Sequence, residues 1–399
     1  MNGLVNLWME KIINYYFIYL YALTFLLKFS KISSQKHLFL PFELENGKIF
    51  ASLIIGHPIQ NVYRQVDLLN SFTWTVSMYY NKQKSETYSS ISNETITIEA
   101  KVINSELVCD RVNIDYFTSI ESFCFYLVEF SDIKDLNGDS TFAFGYKIKN
   151  KSFSLVHQLN KDGFINSNSF FIEGTHDSVG KIHFGDLTKN ELSKYPYTSQ
   201  CKVEQKYEKW GCKLYSFQIG YSFTYFVEEF EKYFYFDTGI YDIFFPQKAF
   251  YYLFNKFKYF NKNCELKPGS SIYSFSCPKK MLNSIKSISF NIGGFLLPIK
   301  IEELFFCGSY NLCRCIIQYS TKRPNDFTFG SAFYWIYIVG FHYNENSISF
   351  FSSNPIDYIG ASQYLKRLFI IIFLIFQLFG VLMLLLLLWI NNGKHPLLS

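Results

Sequence analysis

Asp67 ends the run NVYRQVD and Asp237 ends KYFYFD, and each strand-like run is followed by a turn and another apolar stretch. The two units lie 170 positions apart, as expected of two similar lobes that each offer one carboxylate to a shared cleft. Two carboxylates sharing one proton cannot both ionise, so one serves as a base and the other as an acid at the same pH. The base takes a proton from water as it attacks a peptide carbonyl. The acid polarises that carbonyl and later protonates the leaving amine. Such chemistry calls for no metal, no cofactor and no covalent intermediate. A lone Asp at a strand end is ordinarily a turn or cap residue, so the surrounding residues must decide.

Other chemistries lack their residues. There is no phosphate-cradling Gly-Lys-Ser loop, no dinucleotide fingerprint and no His-Glu-x-x-His. Cys307, Cys313 and Cys315 fit no common zinc spacing and have no His nearby, so disulfides are the better reading. The net charge of +5 is small and the lysines are scattered, leaving no nucleic-acid footprint.

The elements that must position the two acids are mainly strands. From Leu40 to Ser352, short apolar and β-branched runs such as KIFASLIIG, ETITIEAKVI, GKIHFGD, KLYSFQIG and NSISFF alternate with polar turns. Three- and four-residue apolar spacing predicts helices in SFSLVHQLNKDG and QKAFYYLFNKF. The 45 Phe and 31 Tyr among 399 residues supply core and exclude a disordered chain. Nine cysteines suit an oxidising compartment, and the odd count leaves one unpaired or paired to another chain.

Both ends read as membrane-directed. IINYYFIYLYALTFLL, Ile12 to Leu27, lies between Lys11 and Lys28 and suits a secretory signal or an N-terminal anchor. LFIIIFLIFQLFGVLMLLLLLWI, Leu368 to Ile390, is long enough to span a bilayer as a helix. The expected organisation is a signal or anchor over 1–30, lobes over 40–190 and 191–352, a juxtamembrane linker over 353–366, a transmembrane helix over 367–390 and a tail over 391–399. The expected location is a secretory-pathway membrane, with monomeric lobes facing the lumen or the exterior. Lys366 and Arg367 would then lie on the luminal side, against the positive-inside bias. Asn93 and Asn150 open glycosylation sequons that fit that exposure.

The body resembles the pepsin-like aspartic proteases over most of Leu40 to Ser352. IIGHPIQNVYRQVDLLNSFTWTV is similar to the first active-site region, with Gly56, Pro58, Gln60, Asp67 and Trp74 in register. FDTGIYDIFFP is similar to the second, with Asp237, Thr238, Gly239 and Pro246. FGYKIKNKSFSLVHQLNKDGFINSNSFFI, GKIHFGDL and TFGSAFYWIYIVGFHYNENSISFF resemble the Gly-x-Gly strand with its helix, the glycine-rich hairpin and the closing segment. His342 stands where the closing segment has an Asp. The resemblance implies two β-rich lobes around a cleft, Asp67 and Asp237 as the water-activating dyad, and a polypeptide substrate or peptide ligand. It also implies a disulfide at Cys264 and Cys277. Cys109, Cys124, Cys201 and Cys212 are further disulfide candidates.

Three departures bear on the dyad. The first motif reads Asp67-Leu68-Leu69-Asn70 instead of Asp-Thr-Gly-Ser/Thr. Leu68 cannot make the threonine hydroxyl's bond across the lobes, Leu69 must place a side chain where the family has Gly, and the Asn70 amide can replace the lost hydroxyl donor. In the second motif Ile240 replaces a hydroxyl residue. At the flap, Glu99 stands in place of Tyr and Ala100 in place of Gly. A Glu99 reaching the dyad would raise all three acids; the favoured reading points it to solvent on a hairpin that no longer closes. Two functions follow: a membrane-anchored endopeptidase, or a catalytically inactive relative that binds a peptide or partner protein in the cleft.

Overall fold

The computed structural model describes residues 38–98, 101–115, 118–130, 141–148, 153–175, 178–221, 224–282, 285–308, 311–323, 325, 327–353, 357–358, 373, 375–383 and 385. Alternation of apolar and polar residues sends most of this chain into strands. Leu38–Glu45 buries Leu38, Leu40 and Phe42 and exposes the residues between them; Gln60–Asp67 turns Val62, Arg64 and Val66 inward. The result is a mainly β, bilobal fold in which the described residues form two large sheets, one of thirteen strands and one of twelve.

The predicted helices form at Leu155–Lys161 and Gln247–Phe260. Ser154 caps the first by accepting from the His157 N–H. The second buries Ala249, Phe250, Leu253, Phe254 and Phe257, a three-and-four spacing that covers one face.

The sheets do not divide simply in sequence. Tyr197–Lys202, Ile338–His342 and Ser347–Ser352, all from the C-terminal half, extend the first sheet beyond Ser169–Gly174. An aromatic core lies at this junction. Phe170 stacks on Phe341 at 4.8 Å between ring centres, and Trp210 meets Phe341 edge-on at 5.2 Å. Phe236, beside Asp237 in the chain, meets the same Phe341 ring at 5.6 Å. The aromatic core at this junction is thus continuous between the two halves.

Four disulfides join Cys109 to Cys124, Cys201 to Cys212, Cys264 to Cys277 and Cys307 to Cys313, while Cys315 is a buried free thiol. These bridges fit folding in an oxidising secretory or extracellular environment. The N-terminal apolar run, Glu99 and Asn150 lie outside the described residues. Of the C-terminal apolar run, 373, 375–383 and 385 are helical and exposed. Among the described residues, no helix is long and apolar enough to cross a membrane. Asn93 is exposed on the strand Ser89–Ile98.

Candidate active site

Asp67 ends a strand and Asp237 directly follows one, each strand has a parallel neighbour, and the two arrangements match. Gln65, Val66 and Asp67 pair with Thr141, Phe142 and Ala143; Phe234, Tyr235 and Phe236 pair with Phe327, Thr328 and Phe329. Trp74 pairs antiparallel with Thr141, as Phe244 does with Thr328. The loop after Asp67 receives Gly145 N on Asn70 O at 3.1 Å, and the loop after Asp237 receives Ser331 N on Ile240 O at 2.8 Å. This internal twofold relation brings one acid from each half near enough for the Asp237 charge to act on Asp67.

Both glycines that close these loops are forced by contact. A side chain on Gly145 would put its Cβ 2.2 Å from Asn70 O, and one on Gly330 would meet Asp242 O at 2.4 Å. The C-terminal half also pins the first loop: Trp210 Nε1 donates to Phe144 O at 2.8 Å and Tyr343 Oη to Gly145 O at 3.1 Å.

Asp67 is held by its own turn. Its Oδ1 accepts from Leu69 N at 2.7 Å and Asn70 N at 3.2 Å, and its Oδ2 accepts from Asn70 Nδ2 at 2.6 Å. The Asn70 amide therefore fills the donor role expected of it, and it also reaches Thr141 Oγ1 at 3.3 Å. Burial pushes the Asp67 carboxyl above the usual carboxylate range and the charge of Asp237 adds to this, while the donors from Leu69 and Asn70 oppose it.

The tie between the lobes survives by half. Thr238, fully buried, donates its hydroxyl to Val66 O at 2.6 Å and accepts from Leu68 N at 3.4 Å. Leu68 offers no hydroxyl in return, and its side chain is fully buried in the main apolar core. Ile49 N adds a bond to Thr238 O at 3.2 Å, and Ser331 Oγ donates to Gly47 O at 2.9 Å. Leu69 turns its side chain outward and is 36 % exposed.

Asp237 has a different environment. Its side chain is only 7 % exposed. Oδ1 accepts from Gly239 N at 2.8 Å, and a Cβ at Gly239 would sit 3.0 Å from that same oxygen. Oδ2 pairs with Arg323 Nη1 at 2.8 Å. Position 240, the counterpart of Asn70, is Ile, so the second loop has no side-chain donor for this oxygen; Arg323 occupies it instead. Arg323 follows the strand Ile317–Ser320 and turns back with its N–H on Ser320 O at 3.1 Å. Sequence reasoning passed over Arg323, because TKRPND has the composition of an ordinary turn and carries no period or motif that points inward.

At the flap position, Ser89–Ile98 and Lys101–Asn113 form a long antiparallel hairpin. Glu106 anchors its base, pairing with Lys82 at 2.5 Å and accepting from Ser90 Oγ at 2.6 Å and from the Tyr88 hydroxyl. His342, in place of an Asp, lies between Ser169 Oγ at 2.9 Å and Ser349 Oγ at 2.7 Å.

The chain aligns in structure with an aspartic proteinase from Irpex lacteus, with a TM-score of 0.60 over 80% of this chain and 98% of that one. The fold is that of the pepsin-like aspartic proteinases. Sequence identity over the match is 14%, so the likeness is one of fold. No protein-family model matches the chain, and no curated protein matches it in sequence.

Proposed function

We propose that the pepsin-like body is an aspartic-type endopeptidase, with Asp67 and Asp237 activating one water. The reading rests on one observation: two acids at the ends of twofold-related strands, tied across the lobes by the Thr238 hydroxyl. Their settings differ in the sense the chemistry needs. Burial favours the neutral form of Asp67, which suits it to carry the proton; Asp237, held against a guanidinium, is positioned to act on the water. Water oxygen bonds to the peptide carbon as one water proton passes to Asp237 and the Asp67 proton passes to the carbonyl oxygen. The carbon–nitrogen bond then breaks as Asp237 gives its proton to the amine nitrogen and a hydroxyl of the tetrahedral intermediate returns its proton to Asp67, so the two acids again share one. Leu368 to Ile390, apolar and long enough to span a bilayer, supports tethering of this body to a secretory-pathway membrane.

The Arg323 pair favours a second reading, a cleft that holds peptides without cutting them, because it occupies an oxygen that the attacking water would approach. The decisive experiment incubates the folded protein with a denatured protein substrate from pH 3 to pH 7, alongside Asp67→Asn and Asp237→Asn. Cleavage lost in both variants is expected. Correctly folded protein that cuts nothing across that range would leave the binding reading.

A further inference from the structure

A second side chain reaches across the lobes to the Asp237 loop. A Cβ built on Gly239 would sit 3.0 Å from Asp237 Oδ1 and 3.1 Å from Gln65 Nε2. Among the described residues, chain neighbours aside, nothing else comes within 4 Å of that point. Gln65 belongs to the strand Gln60–Asp67, where alternation turns Val62, Arg64 and Val66 inward and leaves Gln65 on the same side as Asp67. Its side chain is partly exposed, and its amide makes no hydrogen bond to any described residue. The amide nitrogen is nevertheless no farther from Asp237 Oδ1 than one bridging water can span. In the first loop the counterpart of Gly239 is Leu69, which carries a side chain at the matching point, so this niche lies on one side of the dyad only.

The niche has the chemistry of a hydroxyl site. Arg323 occupies Asp237 Oδ2, so Oδ1 is the oxygen left to receive a proton from water. Oδ1 accepts from Gly239 N at 2.8 Å, and a carboxyl oxygen has a second lone pair for another donor. The Gln65 NH2 group only donates. A group seated between the two must therefore donate on one side and accept on the other, as a water or an alcohol does. We propose that Gln65 is a further catalytic residue: its Nε2 holds the attacking water, or a hydroxyl in its place, on Asp237 Oδ1. The inference rests on the endopeptidase reading and adds to it the oxygen that takes the proton and a third group that fixes the water. The water accepts from Gln65 with one lone pair and turns the other to the peptide carbon. As the carbon–oxygen bond forms, one water proton passes to Oδ1 and the Asp67 proton passes to the carbonyl oxygen. Gln65 keeps its own protons throughout and sets the direction of attack.

The test uses two short peptides that differ by one oxygen, with a hydroxymethylene or a methylene group in place of the scissile carbonyl. Calorimetry on the folded full-length protein reads both, whether or not it cleaves. The wild type is expected to bind the hydroxyl peptide roughly tenfold tighter than its deoxy twin. Gln65→Met keeps the length of the side chain and removes the donor. It is expected to lower that ratio roughly fivefold while the deoxy affinity stays within about twofold. Gly239→Ala, at a glycine outside the positive-φ set, puts a methyl into the niche itself and should abolish the ratio. Adding Gln65→Met to it should cost nothing more, since both act on one site. Equal binding of the twins by the wild type overturns the inference, as does a ratio unchanged in Gln65→Met or an equal loss of both peptides there. Should Gln65→Met fail to fold, Gly239→Ala decides alone, and a ratio it leaves unchanged overturns the proposal. A hydroxyl preference that depends on Gln65, without cleavage of any substrate, would sink the endopeptidase reading and leave Gln65 as a hydroxyl ligand; cleavage with a ratio indifferent to Gln65 would do the reverse. A protein that binds neither twin and cuts nothing overturns both.

Discussion

Removing the Thr238 hydroxyl tests whether the surviving half of the inter-lobe tie holds the site together. Thr238→Val keeps the shape of the side chain and deletes one oxygen. That oxygen donates to Val66 O at 2.6 Å and accepts from Leu68 N at 3.4 Å, in a place with no solvent access. The short bond carries most of the effect: a buried carbonyl left without its donor costs about 1–3 kcal/mol, and the long bond to Leu68 adds little. The added methyl recovers no burial, because the site is already closed. A net loss of about 2 kcal/mol is expected, roughly a 30-fold fall in the folded-to-unfolded ratio. Urea denaturation measures it as a lower midpoint at unchanged slope. Thr238→Ser, which restores the oxygen, should recover most of the loss. Because Leu68 provides no second hydroxyl, nothing on the other lobe compensates, so peptide binding in the cleft should weaken along with stability. A midpoint within about 0.5 kcal/mol of wild type would show that the lobes are held by their sheets and aromatic floor, and that the hydroxyl is incidental.

At the flap base, burial raises the Glu106 carboxyl, but the donors from Lys82, Ser90 and Tyr88 outweigh it and pull its pKa from 4.5 down to about 2. A depressed acid stabilises the fold above its unfolded pKa and loses that contribution as pH falls through the folded value. Lys82 is 39 % exposed, so screening reduces the gain to about 1 kcal/mol. Glu106→Gln should therefore cost about that much at pH 7, with the gap to wild type closing between pH 4.5 and pH 2; a gap independent of pH would place the effect in packing instead. In the second loop, Ile240→Ser should give Asp237 Oδ2 a neutral donor like Asn70 and loosen the Arg323 pair. Cleavage of a denatured protein should rise above that of wild type, since Oδ2 is then opened to water, and no change would mean that a serine there does not reach the oxygen.

Much of the fold could be read from the sequence because its signals are local. Period-two alternation marks the strands, three-and-four spacing marks Gln247–Phe260, and the strand-Asp-turn units mark the two acids. The role of Asn70 was legible too, since an amide three residues after a carboxylate can reach back within one turn. Features set by distant parts of the chain were not. Nothing in Tyr197–Lys202 indicates that it pairs with Ser347–Ser352 in the first sheet. Leu68 looked like a lost bond, yet its main-chain N–H still meets Thr238 and its side chain fills the core, because a threonine hydroxyl both donates and accepts. Leu69 looked like a side chain forced into a crowded loop, and the turn instead directs it outward.

The two altered motifs bear on different acids and leave them unequal. The first loop lost its cross-lobe hydroxyl but kept three donors to Asp67, all from residues within three positions of it. That acid is fixed by its own turn, whatever the other lobe does. The second loop kept its cross-lobe hydroxyl but, with Ile240, lost the local donor to Asp237 Oδ2. That oxygen is now served from 86 positions downstream, by a side chain that brings a charge. A neutral donor would have completed the dyad and added nothing else. A guanidinium instead adds a charge and ties Asp237 to the turn after Ile317–Ser320. Whether this body cuts peptides or only holds them therefore turns less on Leu68 and Leu69 than on the Arg323 pair at Asp237 Oδ2.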